Sequence, residues 1–339
     1  METQRLAEGL AQRCDNLMQA EGSLVFPAVP AMAGEYTDRC VRMFAAMGRV
    51  FSDDERLQLD AVLRRTLAEA HAYSQRSSIT VAYQSMPAAP LKYTVRVNKV
   101  TLEQAYHAWM DGASSPMFGA APDARVWTLA GEAPDPGAYR VLDVGAGTGR
   151  NALALARRGH PVDAAELTEK FAESIRRDAA RESLPLRVIQ RDVFSTEVYL
   201  RDDYSMIVLS GVVSEFRTVA QLRGMFELAA GHLRPDGLLV FNVFVALSDY
   251  EPDEAARQFA EQSYSGFFTG PEISGAAAGL PLELEADDSV YEYEQAYLPE
   301  GGWPPTEWYV NWVTGRDVFG STCETPPIEM RWLVYRRTG

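Results

Sequence analysis

Lysine is nearly missing from this chain. Only Lys92, Lys99 and Lys170 occur, so arginine supplies the other 29 of the 32 basic side chains. Against them stand 47 acidic side chains, giving a formal net charge of −15. Nucleic-acid binding draws on a clustered basic surface that neutralises phosphates. The sequence offers only short pairs such as Arg157-Arg158, Arg176-Arg177 and Arg336-Arg337, so no nucleic-acid partner is expected. Cysteine is scarce as well. Cys14, Cys40 and Cys323 are far apart, which speaks against a disulfide framework and against zinc-ligand spacing. No metal site is expected, and a reducing compartment, the cytoplasm by default, is. Long apolar runs are also wanting, so no membrane span is expected. The opening Met1-Glu2-Thr3-Gln4-Arg5 lacks the basic start and apolar stretch of a secretory signal.

What is present is a core. Apolar residues make up 47% of 339 positions, enough for one large domain or two medium ones. Residues 1 to about 77 read as helical. The clearest case is 54–74, where Leu59, Val62, Leu63, Thr66, Leu67 and Ala70 recur on one helical face. Alternation at Ile79, Val81, Tyr83 and again at Tyr93, Val95, Val97 predicts two short strands around Pro87 and Pro90. Thr101-Leu102-Glu103-Gln104 matches a capping box opening a helix through Trp109. A Pro/Gly-rich stretch at 131–137 reads as a linker. The expected division is therefore an N-terminal, mainly helical cap over 1–130 with a short strand pair, and a second domain over 138–339.

From Arg140 onward the pattern alternates between strand and helix, the mark of a doubly wound, mostly parallel α/β sheet. Strands are expected at 140–144, 162–166, 187–191, 205–210 and 237–244, then near 282–294 and 328–336. A Trp-rich insertion at about 299–320 holds Trp303, Trp308, Tyr309 and Trp312. The most telling stretch is Asp143-Val144-Gly145-Ala146-Gly147-Thr148-Gly149-Arg150, a strand end running through a glycine turn into a helix that starts at Asn151. Such a turn lets the backbone approach a nucleotide-like ligand at a helix N-terminus. The dinucleotide fingerprint requires a small third residue at position 150, where arginine stands. A nicotinamide cofactor is thereby weakened.

The turn resembles motif I of the class I S-adenosylmethionine (SAM)-dependent methyltransferases, acidic-x-G-x-G-x-G after the first strand. Its GTGRN form is similar to the tellurite-resistance branch of that superfamily. The resemblance covers about 139–244 and implies a seven-stranded Rossmann-like fold with SAM as co-substrate. It implies that Asp143 helps fix the turn, and that Gly145, Ala146, Gly147 and Gly149 approach the methionyl part. Glu166, followed by Leu167, ends the second strand 21 residues after Gly145 and answers to the acid that holds the ribose hydroxyls. Asp192, with Val193 and Phe194, answers to the acid near the adenine. Ser210 and Gly211 end the fourth strand close to the methionyl chain.

Residue types suggest further roles in the same cleft. Arg150, beside Asn151, either pairs with the cofactor carboxylate or is an ordinary surface arginine. Glu215 is a candidate to orient a substrate or accept a proton, and Asn242 interrupts an apolar strand near its end, where polar groups need partners. Aromatic faces suit a sulfonium, which makes Tyr93, Tyr106 and Phe118 candidates, with core packing as the plain alternative. His107 is a candidate base, histidine being the residue type suited to proton transfer near neutral pH. No Ser-His-Asp order emerges. The nearly 140 residues ahead of the cofactor domain, with the acidic balance, suggest a lid and a small-molecule substrate in an enclosed pocket. Three functions stay open: a methyltransferase releasing S-adenosylhomocysteine, a cyclase of the azetidine-2-carboxylate synthase kind releasing methylthioadenosine, to which the chain bears a weaker resemblance, and a non-catalytic SAM-binding interaction protein.

Overall fold

The computed structural model describes residues 2–17, 19–86, 91–112, 117–195, 199–247 and 249–339. It divides into two units. The first comprises the chain up to Ala105 together with Glu254–Gln262, and the second Tyr106–Asp253 with Ser263–Gly339.

In the first unit, strands β1 (Ala20–Pro27), β2 (Ser78–Ser85) and β3 (Lys92–Asn98) form an antiparallel sheet in that order. The helix Asp53–Tyr73 begins at a capping box, Ser52 with Glu55, and buries Leu59, Leu63, Leu67 and Ala70. These spacings of four, four and three residues put one stripe on the core, where Phe44, Ile79 and Val81 meet it. The expected helical run over 1–77 is broken by β1. Its apolar stretch Leu24-Val25-Phe26 is too short to show a period, and its strand character comes from residue-by-residue pairing with β2, more than fifty positions away. Pro87 and Pro90, around which the two strands were expected, lie outside the described residues.

The second unit is built on a mixed sheet. Its strands are β4 (Val141–Val144), β5 (Val162–Ala165), β6 (Leu186–Ile189), β7 (Tyr204–Leu209), β8 (Leu233–Ala246), β9 (Phe267–Phe268), β10 (Leu282–Ser289) and β11 (Ile328–Arg337). The path runs β10-β11-β8-β7-β4-β5-β6, with β9 pairing to β8 beside it. Strands β4 to β8 run parallel, and β10 and β11 antiparallel. This is the seven-stranded Rossmann-like path expected, with one two-residue strand added. Every residue of β4, β5 and β7 is buried, as parallel strands covered on both faces require. The helix Val219–His232 buries Leu222, Met225, Phe226 and Ala229, and Phe226 packs edge-on to Phe241 of β8.

The strand expected at 282–294 ends earlier. The alternating run Val290-Tyr-Glu-Tyr-Glu is the helix Val290–Tyr297, capped by the Ser289 side chain on the Glu292 N–H. Val290 and Glu294 are its buried positions, four apart on one face, so the apparent two-residue alternation is incidental.

Candidate active site

Strand order reverses between β4 and β7, and in open parallel sheets ligands bind outside the carboxyl ends of the strands at that point. The turn after β4 stands there. Gly145 (φ +68°) and Gly147 (φ +55°) adopt the left-handed conformation that side chains avoid. A Cβ on Gly145 would also run into Val212, while one on Gly147 would lie 3.4 Å from Phe118. The turn is fixed to its neighbour strand by N–H donation from Gly145 and Ala146 to the Ala165 carbonyl, at 2.8 and 3.0 Å. Gly149 then opens the helix Arg150–Arg157, its carbonyl accepting from the Leu153 N–H.

Glu166 lies just past β5 and is buried. One carboxylate oxygen accepts from the Gly147 N–H at 2.8 Å and the other from the Thr168 N–H at 2.7 Å. Burial raises its pKa, and these backbone donors oppose the rise. The Thr168 hydroxyl and the Leu167 N–H also donate to this carboxylate. Beside it Leu167 is 50% exposed, and Phe194 past β6 is 40% exposed, with its ring edge-on to Phe216. Asp192 is exposed and accepts from the Phe194 N–H, which shapes that turn. Val193 points into the core instead, so its side chain is not presented to a ligand.

Behind the turn lies a buried polar cluster. Asp123, unremarked in the sequence, gathers Arg150 (2.6 Å), Asn151 (2.8 Å) and the Ser210 hydroxyl (2.7 Å) onto its carboxylate. Its own N–H donates to Asn151 Oδ1. Arg150 is therefore neither a surface residue nor free for a cofactor carboxylate with its full fork: Nη1 is held by Asp123 and the Ala121 carbonyl. Glu294 caps the helix Ala124–Gly131 from a distance in sequence, accepting from the Ala124 and Arg125 N–H groups and from the Trp332 indole. Burial and the nearby Asp123 charge raise the Glu294 pKa. Asp143 is 2% exposed and its Oδ2 has no hydrogen-bond partner. Burial, then Asp123, push its pKa up to about 7, against the opposing charge of Arg150.

Aromatic rings line the same end of the sheet. Phe118 packs edge-on to Trp109, which adjoins Tyr106, Tyr264 and Trp308. Trp312 packs against Trp308 and Phe244, 3.8 Å from where a Cβ on Gly211 would stand. The Tyr106 hydroxyl donates to Glu215 at 3.0 Å. Asn242 is buried in β8 and its carbonyl oxygen accepts from the Gly211 N–H at 2.7 Å, so it fixes the end of β7. His107 follows Tyr106 on the helix Leu102–Gly112 and is half-buried. Tyr93 belongs to the first unit, where its ring packs with Phe44 and Phe51. The sequence missed Asp123, Glu294, Trp109 and Tyr264.

Among the described residues no group of histidine, cysteine or carboxylate side chains is placed to hold a metal. No helix there is long and apolar enough to cross a membrane.

Residues 141–237 match the family model described as a methyltransferase domain. Over 161 residues the chain is 33% identical to hemagglutinin 1 of Eikenella corrodens, covering 43% of this chain and 52% of that protein. Over 107 residues it is 28% identical to a protein with a provisional methyltransferase name from Geobacillus sp. (strain WCH70), covering 32% and 43%. The chain thus spans about half the length of the curated relatives it matches. A geranyl diphosphate methyltransferase in complex with GPP and sinefungin superposes with a TM-score of 0.50 at 14% identity, over 63% of this chain and 77% of that one. A geranyl diphosphate C-methyltransferase from Streptomyces coelicolor A3(2) gives a TM-score of 0.50 at 13% identity, over 71% and 94%. At such identities the likeness speaks for the fold.

Proposed function

We propose that this chain, whose residues 141–237 match the methyltransferase domain model, is a class I SAM-dependent enzyme that transfers the methyl group of SAM to a small metabolite and releases S-adenosylhomocysteine. The observation that carries the reading is the glycine turn at the strand-order reversal, with the Glu166 carboxylate bonded to the Gly147 N–H beneath it. The Glu166 carboxylate, at the end of β5 beside the turn, suits the ribose hydroxyls. Leu167 and Phe194, apolar and exposed, suit the two faces of the adenine, and Asp192 its amino group. The methionyl chain would then run past Gly145 toward Ser210 and Gly211, bringing the sulfonium toward Phe118 and the neighbouring rings. Aromatic faces attract such a cation by about 0.5–2 kcal/mol each.

Methyl transfer needs little from the protein beyond alignment. The acceptor lone pair attacks the methyl carbon in line with sulfur, the carbon–sulfur pair returns to sulfur, and positioning supplies most of the acceleration. Incubation with SAM, with and without a pool of small metabolites, tests this by mass spectrometry of the sulfur product. S-adenosylhomocysteine forming only with the pool present is the expected result. Methylthioadenosine from SAM alone would replace methyl transfer by intramolecular cyclisation, and an absence of SAM binding would remove the reading altogether.

A further inference from the structure

We infer that the acceptor is an amine, held as an organic cation against Tyr106, Trp109, Tyr264 and Trp308 with Glu215 as its counter-ion; this deepens the SAM-dependent reading and rests on it. The four rings form one connected patch, with neighbouring centroids 5.7–6.1 Å apart. Through Phe118 the patch reaches the glycine turn, and through Trp312 it reaches Gly211, so it borders the crevice from β4 to β7.

Tyr264 shows that the patch is built with care. Among the described residues it is one of three non-glycine residues with positive φ, at +54°, a conformation that costs a bulky side chain free energy. The surroundings hold it there. Its carbonyl accepts from the Trp312 indole at 2.9 Å, and Gly266, two residues on, donates its N–H to the Ser214 carbonyl at 2.9 Å. Gly266 lies so close to the Ser214 and Phe216 carbonyls, 2.7 and 2.8 Å from a Cβ position, that no side chain fits. The strained backbone sets the Tyr264 ring beside Tyr106 and Trp109.

The chemistry of the patch is that of a cation site. Ring faces carry negative quadrupole potential. The charged group joined to them by the Tyr106 hydroxyl is a carboxylate, Glu215. An ammonium bound there gives one proton to Glu215. The freed nitrogen lone pair then forms the bond to the methyl carbon as the carbon–sulfur pair returns to sulfur. The methylated ammonium and S-adenosylhomocysteine leave, and Glu215 returns its proton to solvent.

The test compares choline with its uncharged isostere, in which carbon replaces the quaternary nitrogen, binding to protein loaded with S-adenosylhomocysteine. Tryptophan fluorescence and calorimetry read the affinities. Choline should bind about tenfold tighter than the isostere. Glu215→Gln and Trp109→Leu should each weaken choline at least about threefold while leaving S-adenosylhomocysteine affinity unchanged. Glu215→Gln keeps the volume of the side chain and serves if Trp109→Leu fails to fold. Equal or better binding of the isostere, no binding of either, or an unaffected Glu215→Gln would overturn the amine assignment. Failure of S-adenosylhomocysteine itself to bind would instead bring down the SAM-dependent reading.

Discussion

Asp163 and Asp143 stand on adjacent strands, one step apart in register: Leu142 pairs with Asp163, and Asp143 with Ala164. Both are almost fully buried. Asp163 is surrounded by donors, with Arg187 on both oxygens at 2.9 and 2.7 Å and the Tyr204 hydroxyl at 2.6 Å. Burial would raise its pKa, but these donors outweigh that and lower it. Asp143, one residue nearer the carboxyl end of the sheet, keeps an oxygen without a partner and is pushed up to about 7. Folding alone explains the first arrangement and leaves the second in deficit. A buried polar atom left unsatisfied where ligands bind is the difference between a carboxylate that holds the sheet together and one that waits for something.

The sharpest way to break this comparison is to remove the structural member. Asp163→Ala leaves the buried Tyr204 hydroxyl without its acceptor and Arg187 without its partner. A loss of about 3 kcal/mol is expected in denaturant unfolding, with SAM affinity unchanged in the folded fraction. A shift in SAM affinity would show that the two carboxylates are not separable in this way.

Glu166→Ala probes the cofactor side. Removing the acceptor from the Gly147 and Thr168 N–H groups and from the proposed ribose contact should weaken SAM by about 2 kcal/mol, read by calorimetry. Unchanged binding would dissociate Glu166 from the cofactor.

Asp143→Asn tests the deficit through pH. The native Asp143 holds its proton up to about pH 7, whereas the unfolded carboxyl loses it near pH ~3.9. Between those values the native state binds more protons, so wild-type stability falls as pH rises. The amide removes that term. Thermal melts of the ligand-free variant should therefore gain on wild type from pH 5 to pH 8, and a constant difference across that range would contradict the raised pKa. Asp163, with a lowered pKa, contributes the opposite slope: its stabilisation is present above the unfolded value and fades as pH falls through the folded one.

The smallest expected effect is at the turn. Gly147→Ala places a Cβ on a residue at φ +55°, 3.4 Å from Phe118. It should cost about 1 kcal/mol in stability. A stabilised variant would mean that the turn relaxes from this conformation.

Much of the second unit was legible in the sequence because its signals are local. The apolar runs of β4, β5 and β7, the glycine turn, and the acid at Glu166 each declare themselves within a few residues. What stayed hidden is defined by distant partners. Asp123 becomes the centre of a cluster only when Ser210 arrives from 87 positions away, and Glu294 caps a helix 170 positions before it. Ala20–Pro27 is a strand because Ser78–Ser85 pairs with it. Tyr93 was grouped with Tyr106 and Phe118 on residue type, and only the fold assigns it to the first unit's core. Arg150 was legible as a residue of the site but not as one already held by a carboxylate.

The most direct test of the account is the crystal structure of the complex with S-adenosylhomocysteine. Its ribose is expected on Glu166, its adenine between Leu167 and Phe194, and its amino-acid end over the turn from Asp143 to Asn151. An empty crevice, or the nucleoside bound elsewhere in the chain, would contradict it.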